Sequence, residues 1–590
     1  MTATSAGPGA GRTGTHLGRA RGPVTALASC AGIAFVVGSL PWLSGDDPAQ
    51  TVLRARSAER EADAEALESV REELDLPSDP LTGTLDWLSG ALRGDLGVSW
   101  VSGAPVAPSI ASAMGVSAAL ACAAALVALA TGLLVVLPGL VRAVRAGRGA
   151  GRGADVTGAV LASTPDFLLA SVLLAVVAVQ WTAVPTSGWE GPAHMVLPAL
   201  ALGLPAGGLI SRVLAGALSA TLAENWVRTW RVVGFDPLTL ALSLLRRTVA
   251  VALPQVLLVF AGLLGSSIIV ESVFAVPGLG HTALDGVLAQ DLPRVQGAVT
   301  ALVLMGFAVG GAGISLHRAL LGPALGASDL APAVTADPGV GPRAERLPVA
   351  IGGLLLLVIA VGLLRDPNAI GLTSRLEAPS TAHPLGTDAL GRDLLARFGH
   401  GALISVGAGV AVSLVALVVG TVLGVWGRRA RAGAADVLNA LPPVLVGVLV
   451  AAVLGPGLPG AATAVAMVAW IPIAVHARTL VTEVRASGFH QAAVAGGAGL
   501  LWISYRHLVP SVLPTVARHA LVRIPHNTLA LAGLSFLGLG APHDSPEWGA
   551  MLAESVRYVE RAPWAVAVPA LGLALLGAVA ALVRTERRAR

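Results

Sequence analysis

Apolar runs of roughly 18 residues or more recur about a dozen times along the chain, each long enough to cross a bilayer as a helix. They fall near 24–43, 114–138, 156–182, 194–216, 251–275 and 296–317, then near 347–364, 400–427, 437–455, 461–477, 512–540 and 564–583. A Pro/Gly/Ala-rich stretch at about 319–346 separates six from six. No alternating strand pattern competes, so the expected fold is all-α, polytopic, with about twelve transmembrane helices.

The two sixes carry a repeat. Leu253-Pro254 leads through an apolar run to Gly278-Leu-Gly280, and Pro514 leads over the same interval to Leu534-Ser-Phe-Leu-Gly-Leu-Gly540. Duplicated membrane units in one chain are the signature of a transporter whose halves move against each other.

Composition narrows the chemistry. The 590 residues are 54% hydrophobic and 13% charged, with 71 Gly and 38 Pro, numbers that packed membrane helices tolerate. There is no Lys, and all 39 basic residues are Arg, which with the Ala and Gly content suggests a GC-rich bacterial coding bias. A chain without Lys has neither a P-loop lysine nor a Schiff-base lysine. If ATP drives the system, another chain binds it. Cys30 and Cys122 lie in apolar runs and read as two buried small hydrophobes, with neither a disulfide nor a metal site implied.

Arg placement sets the orientation. With the N-terminus inside, 24 of the 39 Arg fall in inside segments and twelve outside, while Arg212, Arg518 and Arg523 lie within spans. Both termini and the linker are therefore expected in the cytoplasm. The same flanking pattern points to lipid, not nucleic acid, as the source of the basic balance. The expected organisation is a cytoplasmic tail at 1–23, a first membrane domain at 24–318 with an external region at 44–108, a linker at 319–346 and a second domain at 347–590. The external region mixes Glu59, Glu61, Glu65, Glu68, Glu72 and Glu73 with Arg54, Arg56, Arg60 and Arg71, a solvated helical face.

Short motifs, in order and in both halves, carry a resemblance. The second half contains His383-Pro-Leu-Gly-Thr-Asp388, Gly391-Arg392-Asp393, Gln491-Ala-Ala-Val-Ala-Gly-Gly497, Arg506-His507, Pro546-Glu-Trp-Gly-Ala-Met-Leu552 and Ala562-Pro-Trp564. The first contains Gly45-Asp-Asp-Pro-Ala49, Gly94-Asp-Leu-Gly-Val98, Val270-Glu-Ser-Val-Phe274 and Pro277-Gly-Leu-Gly280. The set resembles the permease subunits of ABC importers, in particular the dipeptide/oligopeptide/nickel family, here with two subunits fused.

The resemblance implies two six-helix type I ABC-importer permease domains in a bacterial plasma membrane. They would work with two ATPase domains on the cytoplasmic side and an extracytoplasmic substrate-binding protein. The chain would be no enzyme and bind no cofactor, with ATP used by the partner subunits. It also implies a cytoplasmic coupling loop per half, a short helix that docks on an ATPase. The first is Glu224–Pro254, with Arg228, Thr229 and Gly234; the second is Gln491–Pro514, with Gln491, Ala492, Gly497, Arg506 and His507. Gln491 stands where the family usually has Glu, and the first Gly-to-Pro interval is about two residues longer than usual. A glycine permits the tight turn, and the proline is expected to stop the docking helix before the next span.

Inside the spans the polar residues are few. Glu271 lies near the outer end of an apolar run and stands between a structural and a functional reading, and its repeat partner is Leu531, where the family often has an acid. Asp166, after Thr164-Pro165, is expected to cap a broken helix. His519, Arg523, His526 and Asn527 share one helical face, where the relatives are mostly apolar, and in repeat register Ser266 and Ser267 lie opposite His526 and Asn527. This face is expected to line the pathway between the halves and to meet an anionic group, the alternative being that Arg518 and Arg523 still belong to the cytoplasmic interface. An ion-coupled secondary transporter with twelve helices is the competing function; it calls for several buried carboxylates, and only Asp166 and Glu271 lie in spans.

Overall fold

A computed structural model describes residues 31–43, 80–146, 152–321, 346–426 and 443–582, with a few isolated positions between 49 and 71. The tail at 1–23, most of the acidic external stretch and nearly all of the linker lie outside the described residues. Among those described, the only regular elements are helices. After a leading helix that ends at Leu40–Leu43, the first half comprises α1 (Pro80–Leu92), α2 (Val106–Ala146), α3 (Arg152–Ser163), α4 (Asp166–Leu173), α5 (Pro192–Leu222), α6 (Asn225–Val233), α7 (Pro237–Val273), α8 (Leu279–Leu288) and α9 (Leu292–Leu321). The second comprises α10 (Arg346–Leu363), α11 (Leu394–Trp426), α12 (Pro443–Leu454), α13 (Leu458–Ala486), α14 (Gly488–Ala495), α15 (Val509–Phe536), α16 (Trp548–Val556) and α17 (Pro563–Leu582).

Six of these helices are long and apolar enough to span a membrane: α2, α5, α7, α9, α11 and α13. A bent pair, Thr157–Ser163 and Asp166–Gln180 meeting at 88°, makes a seventh when taken as one span. The break falls at Thr164-Pro165, because proline removes a helix N–H and disfavours helical backbone in the residue before it. Asp166 opens the new helix and its Oδ1 accepts from the Phe167 amide at 2.9 Å. α10, α12 and α17 are shorter apolar helices. α15 is 28 residues long but carries Arg518, His519, Arg523 and His526. With the leading helix this makes the all-α, polytopic fold of about twelve helices that the apolar runs predict.

Small residues set the helix contacts. On α5, Gly203 and Gly207 lie against Val127 and Thr131 of α2, so close that an added Cβ would stand 2.6 Å from their Cβ atoms. The corresponding pair in the second half, α11 and α13, uses Gly420 and Gly424 of α11, against Ile473 and Ala477. Without a hydrophobic force between helices in lipid, this close approach supplies the packing. Cys122 does not fit the expectation of burial: it is exposed on α2, on a face that no described helix covers.

Each half closes the end of the bundle away from α6 and α14 with a short helix, α8 or α16. In the second half an ion cluster fixes that cap. The Asp388 carboxylate accepts from Arg392 Nε at 2.6 Å and from Arg397, while Arg392 Nη2 donates to Glu554 of α16 at 2.8 Å. Arg397 is 1% exposed and also donates to the Ser545 carbonyl at 3.0 Å. Burial alone would raise the Asp388 carboxyl, but the Arg392 amide and the guanidinium groups of Arg397 and Arg392 outweigh it and hold it below the usual carboxylate range. Asp388 thus serves structure, tying the segment ahead of α11 to α16 through the two guanidinium groups.

Candidate coupling turns and the cavity between the halves

At the end of the bundle opposite the caps, each half carries an exposed turn. α6 (Asn225–Val233) is flanked by Glu224 and by Gly234, whose φ of 82° is the left-handed conformation that ends a helix and that glycine adopts without a Cβ penalty. Asp236 then caps α7 by accepting from the amides of Leu238 and Thr239 at 3.0 and 3.1 Å. Three fastenings hold α6 in place. Glu224 accepts from Trp226 Nε1 at 2.6 Å and from Arg247 Nε at 3.1 Å, and Arg231 Nη2 donates to the Ala143 carbonyl at 2.9 Å. Trp226, Trp230 and Phe235 pack ring on ring. Arg228 and Thr229 point outward, and Val232 and Val233 are 81% and 68% exposed.

The second turn repeats the form with other residues. α14 ends at Gly496, and Gly497 follows with φ 78°. Gln491, Ala492, Gly497 and Arg506 are exposed, while His507 is half-buried between the rings of Phe489 and Trp502. Val494, Leu501 and Tyr505 are exposed apolar positions. The proline expectation is corrected in both halves. Pro254 lies inside α7 and Pro514 inside α15, so the left-handed glycines, not the prolines, end the docking helices. A mid-helix proline costs one backbone bond, which tightly packed membrane helices compensate.

Between the halves lies a cavity of about 290 Å³. Ser266 of α7 contributes from the first half; Arg523, His526 and Asn527 of α15 contribute from the second, with Pro443 of α12 and Pro472 of α13. Asn527 Nδ2 donates to Ser413 of α11 at 2.8 Å, and Gly409 of α11 receives Thr528 so closely that a Cβ there would meet its Oγ1 at 2.0 Å. These two contacts fix the rotation of α15, which turns residues 523, 526, 527 and 530 into the cavity. His519 is one turn further toward the coupling turns and packs on His476 of α13, ring centroids 4.9 Å apart. Ser267 turns away and donates to the Leu264 carbonyl at 3.0 Å.

Glu271 is also elsewhere. It is 0% exposed; Oε1 accepts from Ser117 at 2.7 Å and Oε2 from the amides of Gly280 and His281 at 2.7 and 3.1 Å. It therefore fastens the N-terminus of α8 to α2 and α7, which is the structural reading of the two the sequence left open. The second half builds the same clasp without an acid at Leu531. Glu547 accepts from Ser405 at 2.9 Å and from the Ala550 amide at 2.9 Å, fastening the N-terminus of α16 to α11. In each half the serine also accepts the first amide of the short helix, Leu279 onto Ser117 at 2.8 Å and Trp548 onto Ser405 at 3.0 Å. Sequence reading missed Ser117, Ser405, Glu547, Arg397 and Glu554; the one signal present was Pro546-Glu-Trp, a motif noted without a role.

Comparison with known proteins agrees with this duplicated architecture. The family described as binding-protein-dependent transport system inner membrane component matches twice, at residues 135–322 and 409–585. The nickel transport system permease protein NikC of Escherichia coli K12 is 35% identical over 232 residues, 38% of this chain and 84% of NikC. The dipeptide transport system permease protein DppC of Alkalihalophilus pseudofirmus is 33% identical over 238 residues, covering 39% of this chain and 78% of DppC. The metal-staphylopine import system permease protein CntB of Staphylococcus aureus is 27% identical over 293 residues, 50% of this chain and 93% of CntB. Two matches to one domain in a single polypeptide decide between the transporter readings: the chain belongs to the binding-protein-dependent transport system inner membrane component family, as an ABC-importer permease with two permease domains fused, and is not itself an enzyme.

Proposed function

We propose that this single chain forms the whole translocation pathway of an ATP-driven importer for peptides, nickel chelates or similar small solutes, in a bacterial plasma membrane with both termini inside. Partner ATPase subunits dock on the α6 and α14 turns, and an external binding protein delivers cargo at the α8 and α16 caps. ATP-driven closure of the partners moves the turns, and the halves rock about the cavity that Ser266, Arg523, His526 and Asn527 line. The observation that carries the reading is the pair of exposed turns at one end of the bundle, each ended by a left-handed glycine and each presenting unpartnered apolar side chains. Arg228, Thr229, Gln491, Ala492 and Arg506 are the polar groups placed to meet the partners, and His507 braces the second turn from behind.

Gly497 tests it. A Cβ there would meet nothing within 4 Å, so the chain itself has room for a side chain and bears only the left-handed backbone cost of ~1–2 kcal/mol. Gly497→Arg is expected at normal abundance in the membrane with ATPase association lost, whereas Gly497→Asn, which tolerates the same backbone, keeps it. Unimpaired co-purification of the ATPase with the Arg variant removes the turn from the mechanism.

A further inference from the structure

The cavity is largely apolar, with one exception that has no internal explanation. Arg523 is half-buried on its wall, its Nε has no hydrogen-bond partner, and it makes no ion pair among the described residues. Among the described residues no acidic side chain lines the cavity. Asp166 stands beside Ser266, and its carboxylate is engaged by that serine and by the Phe167 amide. A guanidinium stays charged and carries five donors in a planar fork that matches a carboxylate. Placing such a group at the centre of a helix costs ~2.5–3.5 kcal/mol on insertion scales, so it is retained where something compensates it. Among the described residues no carboxylate supplies that compensation.

We propose that Arg523, flanked by His526 and Asn527, is a carboxylate subsite within the pathway, so that the permease itself discriminates for carboxylate-bearing cargo in addition to whatever the delivering protein selects. The inference rests on the reading of this cavity as the pathway. The surroundings favour one end of a small solute. Asn527 is held rigid by Ser413, His526 opens onto the cavity, and the facing α7 wall offers Leu258, Ala261 and Gly262, which suit an apolar remainder. Low-dielectric walls strengthen the attraction relative to water. An anionic solute is thereby drawn to the midpoint, and a cationic one is repelled by the same charge.

Thiol chemistry tests this without knowledge of the cargo. In a full-length Cys30→Ser, Cys122→Ser background in lipid nanodiscs, Ala261→Cys places a thiol on the cavity wall opposite Arg523. Its modification rates are compared for an anionic reagent, sulfonatoethyl methanethiosulfonate, and a cationic one, trimethylammonioethyl methanethiosulfonate, each corrected for its rate with a free thiol. The anionic reagent is expected to react about tenfold faster, ~1.4 kcal/mol of preference. Arg523→Gln should abolish the preference and Arg523→Lys should retain most of it, at unchanged yield. Reaction with neither reagent sinks the pathway reading and the subsite together. Equal reaction with both, or a preference that survives Arg523→Gln, leaves the pathway standing and overturns the subsite.

Discussion

Replacing Glu271 by Leu gives the first half the residue that the second half already has at the same repeat position, Leu531. Repeat register alone would call this substitution mild. The structure says otherwise, because the Glu271 carboxylate is the acceptor for the Gly280 and His281 amides and for the Ser117 hydroxyl, all at 0% exposure of the glutamate. Leucine leaves two buried helix-terminal N–H groups without partners, at ~1–3 kcal/mol each, so ~2–6 kcal/mol in all. It must also fit against Gly278, whose absent Cβ would lie 2.5 Å from the carboxylate. Glu271→Gln keeps the shape and one acceptor but turns an NH₂ group toward donors, for an expected loss of ~1–3 kcal/mol. The assay is apparent melting temperature in detergent by size-exclusion, for wild type, both Glu271 variants, Ser117→Ala and the Ser117→Ala/Glu271→Gln pair. The expected order of stability is wild type, Gln, Leu, and the pair should be less damaging than the sum of its members by more than ~0.5 kcal/mol. Glu271→Leu melting with wild type, or strict additivity of the pair, would refute the clasp. Glu547→Leu should fall about half as far as Glu271→Leu, ~1–3 kcal/mol, since it orphans one amide, that of Ala550, where Glu271→Leu orphans two.

Asp388→Asn should lower stability at neutral pH, and the deficit should shrink in acid. The folded pKa of Asp388 lies below its unfolded value of about 3.9, so its contribution is complete above that value and is lost as pH falls through the folded one. A wild-type-minus-variant difference that stays flat between about pH 6 and pH 3 would contradict the cluster as described. Gly424→Val should separate α11 from α13, because a Cβ there already meets the Ala477 Cβ at 2.5 Å. Gly216→Val, at a position with nothing within 4 Å, should be tolerated, and equal abundance of the two proteins would count against that contact. For orientation, a membrane-impermeant thiol reagent on intact cells should reach Ser545→Cys and miss Ala333→Cys; the reverse labelling would invert the topology.

The helix count, the duplication and both turns were legible because each leaves a signal of its own. Apolar length reports a span, and a glycine in a polar segment reports a left-handed turn. The limits of the turns were not legible, since a proline in a sequence reads as a stop, whereas Pro254 and Pro514 sit inside continuous helices. The polar face of α15 could be drawn from its spacing alone. Its neighbours could not: the contacts that aim it, Ser413 on Asn527 and Gly409 under Thr528, come from more than a hundred residues away. The Asp388–Arg392–Arg397–Glu554 cluster shows the same limit. Asp388 and Arg392 stand in one motif, but Glu554 lies 162 residues beyond Arg392, and no local pattern announces their pairing.

The clasps carry the point further, because they show what a repeat does and does not conserve. Both halves face one physical problem, how to satisfy the amides of a short buried helix at the cap of the bundle. Both solve it with a serine from α2 or α11, the long helix that follows the first apolar helix of its half, and with one glutamate. Yet Glu271 reaches α8 from the long helix before it, while Glu547 is the residue just ahead of α16. The glycines are distributed differently too: in the first half α5 supplies Gly203 and Gly207 and α2 supplies Gly132 against Ile210, whereas Gly420 and Gly424 of the second half both lie on α11. What is retained is the donor-acceptor balance and the close approach, each of which can be met from either side of a contact. A residue's repeat partner is therefore a poor guide to its role here, and Leu531 does not leave the second half without its carboxylate. The same logic bears on Arg523. The compensation for its charge need not stand at the corresponding position of the first half, and the cavity between the halves, where no acid among the described residues lines the wall, is where that compensation is to be sought.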